Sequence, residues 1–237
     1  TANPAASTTY TVVGTSALGC TAQTTVAVTV NPLPSVTSAL PSYSICSGSS
    51  PNINLTPNPA GATLNWTGSD GSSGSGNLIN NILNNSICPS VVITYTITPT
   101  FNGCTGNPIS VPVTVYPKPT STFIVAPTSV CINTPVTVTY TGTACPGSTY
   151  NWNFPAGTTV VSGSGAGPYQ LQWASSGVFN IGLQVVSPTG ACTSTTTTVP
   201  VTVNPLPVVN VPPLTICSGQ SGTLTATGAT TYTWNPS

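Results

Sequence analysis

Charge is almost missing from this chain. Among 237 residues, Lys118 is the only basic side chain, Asp70 the only acidic one, and there is no His, where about a quarter charged is usual. General acid–base catalysis needs titratable groups held near one another, so the composition predicts no enzyme. Phosphate backbones need several cations, which excludes nucleic acid as a partner. Calcium sites need several oxygen ligands, usually including more than one carboxylate, so no metal site is expected. The Gly-rich stretches 71–76 and 163–167 lack the following helix and Lys of a phosphate-cradling loop, and no cofactor is implied. No run is long and apolar enough to span a membrane. Met is absent and no leader or lipidation motif is visible, so the chain reads as an internal or processed segment.

These absences also point somewhere. A surface of Thr, Ser, Asn and Gly carries no charge repulsion to hold copies apart. Pro119 follows the lone Lys118, leaving proteases that cut after basic residues almost nothing to cut. Such a chain suits a durable, self-associating extracellular material.

What is present is a repeated phrase. Val28-Thr29-Val30-Asn31-Pro32-Leu33-Pro34 recurs as Val113-Thr114-Val115-Tyr116-Pro117-Lys118-Pro119 and as Val201-Thr202-Val203-Asn204-Pro205-Leu206-Pro207. The period is roughly 85 to 88 residues, within the usual size range of small domains. Alternating Val sets one strand face on a core, and the paired prolines then stop and stiffen the chain. The phrase closes one unit and spaces it from the next. The 22 Gly and 25 Pro make up about a fifth of the chain, below the share expected of a low-complexity segment. The reading is all-β: tandem antiparallel β-sandwiches joined by short Pro-rich linkers.

Residues 1–34 form the C-terminal half of a unit, with a strand over Thr9–Gly14, a turn at Ala17–Cys20 and a strand carrying Val26, Val28 and Val30. Residues 35–119 form a complete unit. It opens at Ser44-Ile45-Cys46-Ser47-Gly48, has a central strand Leu64-Asn65-Trp66, crosses a loose Gly/Ser loop from Gly68 to Gly76, and turns at Asn102-Gly103-Cys104. Residues 120–207 repeat the plan through Cys131, Trp152, a strand Tyr169–Trp173, and Phe179, Ile181, Leu183 and Val185 on one face. Pro112 marks the closing strand of 35–119 as a sheet edge. Residues 208–237 form the N-terminal half of a unit, from Ile216-Cys217-Ser218-Gly219 to Trp234. Trp234-Asn235-Pro236-Ser237 reads as continuing towards Thr1-Ala2-Asn3-Pro4, so the two halves complement one another in a neighbouring copy or repeat.

The series Cys46…Trp66…Cys104 and Cys131…Trp152…Cys192, the Ile-Cys-Ser-Gly openings, the Cys-bearing turns and the Asn-Pro-Leu-Pro phrases resemble the Ig-like and PKD-like repeats of very large secreted surface proteins and adhesins of Bacteroidetes-type bacteria. Asn151-Trp152-Asn153-Phe154 with Ser162–Gly165 is most similar to the PKD-like version, which makes 35–119 the Ig-like and 120–207 the PKD-like unit. The resemblance implies a cell-surface or extracellular setting. The chain departs from acidic PKD modules in its near-absence of carboxylates, which speaks against calcium binding.

Eight cysteines at matched places in the repeat predict an oxidising compartment. The simplest scheme pairs Cys46 with Cys104 and Cys131 with Cys192, each bridge contributing about 4 kcal/mol in the chain-entropy model. Cys20 and Cys217 then pair if the two halves meet. Cys88 and Cys145, one on each complete unit, either bridge the two, pair elsewhere or stay as thiols. Trp66, Trp152 and Trp234 share one register and are expected in the core, packed on the disulfide as in an immunoglobulin sandwich. The rival reading of these tryptophans is an exposed platform for surface glycans. The role expected is a building block of a surface filament assembled head to tail from copies of itself. The alternatives are a stalk or spacer of a giant adhesin, or a carbohydrate-binding accessory module of a secreted hydrolase.

Overall fold

The computed structural model describes residues 1–235 and contains no helix among them. Pro236 and Ser237, which the sequence reads as leading on towards Thr1, lie outside the described residues. The chain divides into two units, Thr1–Lys118 with Thr189–Cys192, and Pro119–Pro188 with Thr193–Ser237.

The first unit opens with a hairpin, β1 (Thr8–Thr15) and β2 (Thr21–Val28). A sandwich follows, built from β3 (Ser35–Ser38), β4 (Tyr43–Cys46), β5 (Ile53–Asn58), β6 (Thr63–Gly68), β7 (Ser73–Ser75), β8 (Leu78–Ile79), β9 (Val91–Phe101), β10 (Cys104–Thr105) and β11 (Ile109–Tyr116). One sheet runs β4-β11-β9-β6-β7, with β10 on β9, and the other β3-β5-β8. Ile93, Tyr95, Ile97 and Val111, Val113, Val115 alternate with Thr, Ser and Pro, so every second residue enters the core with Ile53, Leu55, Leu64 and Ile79. The β9–β10 turn uses Asn102 and Gly103, both at positive φ, as a tight two-residue hairpin demands.

The second unit is a sandwich of β12 (Phe123–Ala126), β13 (Ser129–Cys131), β14 (Val136–Tyr140), β15 (Thr149–Asn153), β16 (Thr158–Ser162), β17 (Tyr169–Trp173), β18 (Gly177–Val186) and β19 (Thr197–Asn204). Its sheets are β12-β14-β17-β16 and β13-β19-β18-β15. Ile181, Leu183 and Val185 face Val136, Val138, Leu171 and Trp173 across one core. Both sandwiches are therefore of the Ig-like/PKD-like antiparallel kind, each with one parallel pairing, β4 with β11 and β13 with β19.

Two local expectations change. Pro112 does not lie on an edge strand: β11 sits between β4 and β9, and β19, which carries Pro200, sits likewise between β13 and β18. The prolines are tolerated because β4 covers only Val113–Tyr116 and β13 only Thr202–Asn204, leaving that side of the strand open at the proline. The Gly/Ser loop 68–76 is not loose either. Asp70 Oδ1 accepts bonds from the Ser72 amide (3.1 Å) and hydroxyl (2.6 Å), and the capped turn returns the chain as β7 alongside β6. Gly74 lies there against the Trp66 ring.

Candidate functional site

The chemistry of this protein is concentrated in its cysteines and its two terminal segments. Cys46 and Cys192 form a disulfide with Cα atoms 5.6 Å apart, a normal spacing for the bond. Cys88 and Cys145 are also disulfide-bonded. Cys20, Cys104, Cys131 and Cys217 are thiols; Cys104 is half-buried and the other three are exposed.

This corrects the intra-repeat scheme of Cys46 with Cys104 and Cys131 with Cys192. Cys46 is in register with Tyr116, at the far end of β11, whereas Cys104 pairs Phe101 at the opposite end of β9. About ten residues of strand separate those levels, roughly 30 Å at the rise of a β-strand. A disulfide spans less than about 7 Å between Cα atoms. Likewise Cys131 is level with Asn204, while Cys192 precedes the bridge of Thr193 to Val186 at the other end of β18. The parallel pairing of the opening strand puts the two cysteines of a repeat at opposite ends of its sheet. The bond that forms joins the opening cysteine of one repeat to the turn cysteine of the following one.

The intra-repeat disulfides on which the tryptophans were expected to pack are therefore not formed. Trp66 is half-buried, edge-on to Tyr95 at 5.6 Å. Trp152 is half-buried among Phe123, Phe154 and Tyr169, and its Nε1 donates to the Gly165 carbonyl at 2.9 Å. The completely buried indole is Trp173, donating from Nε1 to Thr158 Oγ1 at 2.9 Å. Trp234, expected in a core, is 50% exposed.

The hairpin β1–β2 has the register of the strand pair β9–β11. Tyr10 is opposite Val26 and Val12 opposite Thr24, as Tyr95 is opposite Val111 and Ile97 opposite Ile109. The two registers are the same when Thr9-Tyr10-Thr11 is laid on Thr94-Tyr95-Thr96. Yet Tyr95 and Ile97 are fully buried, while Tyr10 is 37% and Val12 53% exposed. Neither outer edge of β1–β2 is paired among the described residues.

Residues 208–235 follow the last strand of the second sandwich. They contain no strand, only one bridge, in which the amides and carbonyls of Asn210 and Thr227 exchange two 3.0 Å bonds. That bridge resembles the contact of the Thr141 amide with the Thr122 carbonyl in the second unit: Asn210 and Thr122 stand at the same distance from the Pro-Leu-Pro or Pro-Lys-Pro stop, while Thr227 stands two residues nearer to its stop than Thr141 does. Val209, Val211, Tyr232 and Trp234 line a 240 Å³ depression, and Val208, Leu214, Ile216 and Leu224 are also exposed.

Comparison with known families falls on the first repeat. Residues 43–119 match the PKD-like domain. In the sequence the resemblance to the PKD-like version rested instead on 151–154, in the second. No curated protein matches the chain. Among solved structures, the I67–I69 fragment of the titin I-band is similar at 11% identity and a TM-score of 0.47, covering 84% of this chain and 75% of that one. The N-terminal eight Ig domains of Down syndrome cell adhesion molecule are similar at 15% identity and a TM-score of 0.49, covering 86% of this chain and 28% of that one. Mouse cadherin-23 EC22–24 is similar at 14% identity and a TM-score of 0.30, covering 84% and 74%. No helix of the described residues is long and apolar enough to cross a membrane.

Proposed function

We propose that this chain is an extracellular structural protein, the building block of a surface filament in which copies join head to tail. The observation that carries the reading is the hairpin β1–β2, set in the register of a sandwich core but with its core face in solvent. A sheet with two open edges is a template for strand addition. The occupant that fits is residues 208–235 of a second copy, which carry the opening, Cys-bearing and Trp-bearing stretches of a sandwich and lack the closing pair. In both complete units the closing pair lies between the opening strand and the Trp-bearing strand: β11 and β9 between β4 and β6, β19 and β18 between β13 and β15. The hairpin of one copy therefore inserts between 215–217 and 231–234 of the next, gaining a partner on each edge. An interface of unlike surfaces that does not close on itself propagates as a filament. The disulfides and the nearly uncharged composition support an extracellular setting.

The test is electron microscopy and light scattering of the purified full chain across a concentration series. Filaments whose repeat contains three sandwiches per copy are expected. A chain that stays monomeric at every concentration, with residues 8–28 freely exchanging their amide hydrogens, would refute the reading and leave the stalk of a longer adhesin as the better one.

A further inference from the structure

The four thiols are of two kinds, and the kinds match. Cys131 and Cys217 are opening cysteines, equivalent to Cys46: each follows Val or Ile at the end of the opening stretch, and Cys131 pairs Asn204 as Cys46 pairs Tyr116. Cys20 and Cys104 are turn cysteines, equivalent to Cys192, each following the strand of Tyr10, Tyr95 or Ile181. The one bond that joins the two kinds in this structure, Cys46 to Cys192, links an opening cysteine to the turn cysteine of the next repeat. Applied along a filament of copies, that single rule uses every remaining thiol. The repeat after 120–207 is the composite one, whose turn cysteine is Cys20 of the incoming copy. The repeat after the composite one is 35–119 of that incoming copy, whose turn cysteine is Cys104.

We infer that each junction between copies is sealed by two intermolecular disulfides, Cys131 to Cys20 and Cys217 to Cys104, and not by one bond between Cys217 and Cys20. The inference rests on the filament reading and adds to it which sulfurs meet. Cys217 and Cys20 would lie at opposite ends of the composite sheet, as Cys46 and Cys104 do in the first unit, some 30 Å apart by strand rise. A bond between them is excluded on the same ground as the intra-repeat bonds of the complete units. Formation of the two bonds removes four protons and four electrons from four thiols. A disulfide-type oxidant supplies the acceptor: two molecules of oxidised glutathione, or two oxidoreductase disulfides, become four thiols by exchange through mixed disulfides. Three of the four thiols are exposed and the fourth is half-buried, so exchange can reach them.

The experiment mixes equal amounts of unlabelled and ¹⁵N-labelled full chain, assembles them and oxidises with glutathione disulfide. Non-reducing chymotryptic digestion and mass spectrometry follow. Linked peptides of mixed isotope are expected for Cys20 with Cys131 and for Cys104 with Cys217, while Cys46 with Cys192 stays unmixed. On non-reducing denaturing gels C131S alone and C217S alone each keep the ladder of linked copies, since one bridge survives. C131S combined with C217S collapses it to the single chain. A ladder abolished by C217S alone, or mixed peptides joining Cys20 with Cys217, overturns the inference while the filament stands. Filaments that keep four thiols after oxidation overturn it too. Failure to assemble in any redox state overturns both, and microscopy of the reduced sample separates that case from the others.

Discussion

Gly74 lies against the ring of Trp66, so close that a β-carbon at that position would overlap Cζ2. The contact fixes the indole between β7 and Tyr95, whose ring it meets edge-on. Gly74→Val must push aside either the indole or β7. We expect a loss of about 1–3 kcal/mol, the usual cost of overpacking. Urea unfolding measures it, and a changed Trp66 emission spectrum locates it.

The indoles of Trp66 and Trp152 differ in one respect. Nε1 of Trp66 is buried with no acceptor within reach, whereas Nε1 of Trp152 donates to Gly165. An unmade buried bond is costly and a made one contributes about 1 kcal/mol. Trp66→Phe is therefore expected to destabilise less than Trp152→Phe, by about 1–2 kcal/mol. Trp173→Ala should cost about 3–5 kcal/mol, because that side chain is wholly inside. Matched denaturation curves of the three variants decide the order.

Removing both Cys46 and Cys192 opens a loop of 146 residues. In the chain-entropy model the loss is about 4–5 kcal/mol, an upper value because Cys88 and Cys145 are bonded as well. Removing Cys104 and Cys131 together should leave the unassembled chain within about 0.5 kcal/mol. The reverse pattern in non-reducing urea titrations would restore the intra-repeat pairing.

Val12 is exposed in the hairpin but equivalent in register to the buried Ile97. Val12→Lys should thus leave the unfolding midpoint of the unassembled chain unchanged, within about 0.5 kcal/mol. Filament formation should be abolished, since the Lys would have to enter a core. A variant that still polymerises normally would count against strand insertion.

Stability should decline in alkali. Burial raises the pKa of Tyr95, against the lowering effect of hydrogen bonds to Asn81 and Ser72, with a smaller raising contribution from Asp70. Burial likewise raises that of Tyr140, helped by Tyr150 and opposed by the bond to Thr120. Above pH 10.0, the ordinary tyrosine value, the unfolded chain loses phenolic protons that the folded chain still holds. The folded state then binds more protons, so stability falls as pH rises. Urea midpoints at pH 9 and pH 11 test the sign: the second should be lower, and Tyr95→Phe should reduce the difference.

The strand content was legible because Ile93–Ile97 and Val111–Val115 alternate apolar residues with Thr or Pro. Phe179, Ile181, Leu183 and Val185 share one face of β18, and Tyr169–Trp173 is β17 with the bounds read from the sequence. The cysteine pairing was not legible. Spacing along the chain says how many residues lie between Cys46 and Cys104, not that the opening strand runs parallel to the closing one. That parallel pairing sends the two sulfurs to opposite ends, and nothing local in Ser44-Ile45-Cys46 signals it. The prolines misled for a related reason. Pro112 does require an open side, but a partner strand that begins one residue later supplies the opening without making β11 an edge.

A sheet whose first and last strands point the same way gives every repeat a head and a tail that differ chemically, one bearing an opening sulfur and the other a turn sulfur. A filament grown from such parts would have a direction, and its two tips would be distinct. A copy trimmed of residues 1–34 would still accept a neighbour on its remaining face but offer nothing to the one before it. Added in trace amounts, it would act as a terminator that sets polymer length.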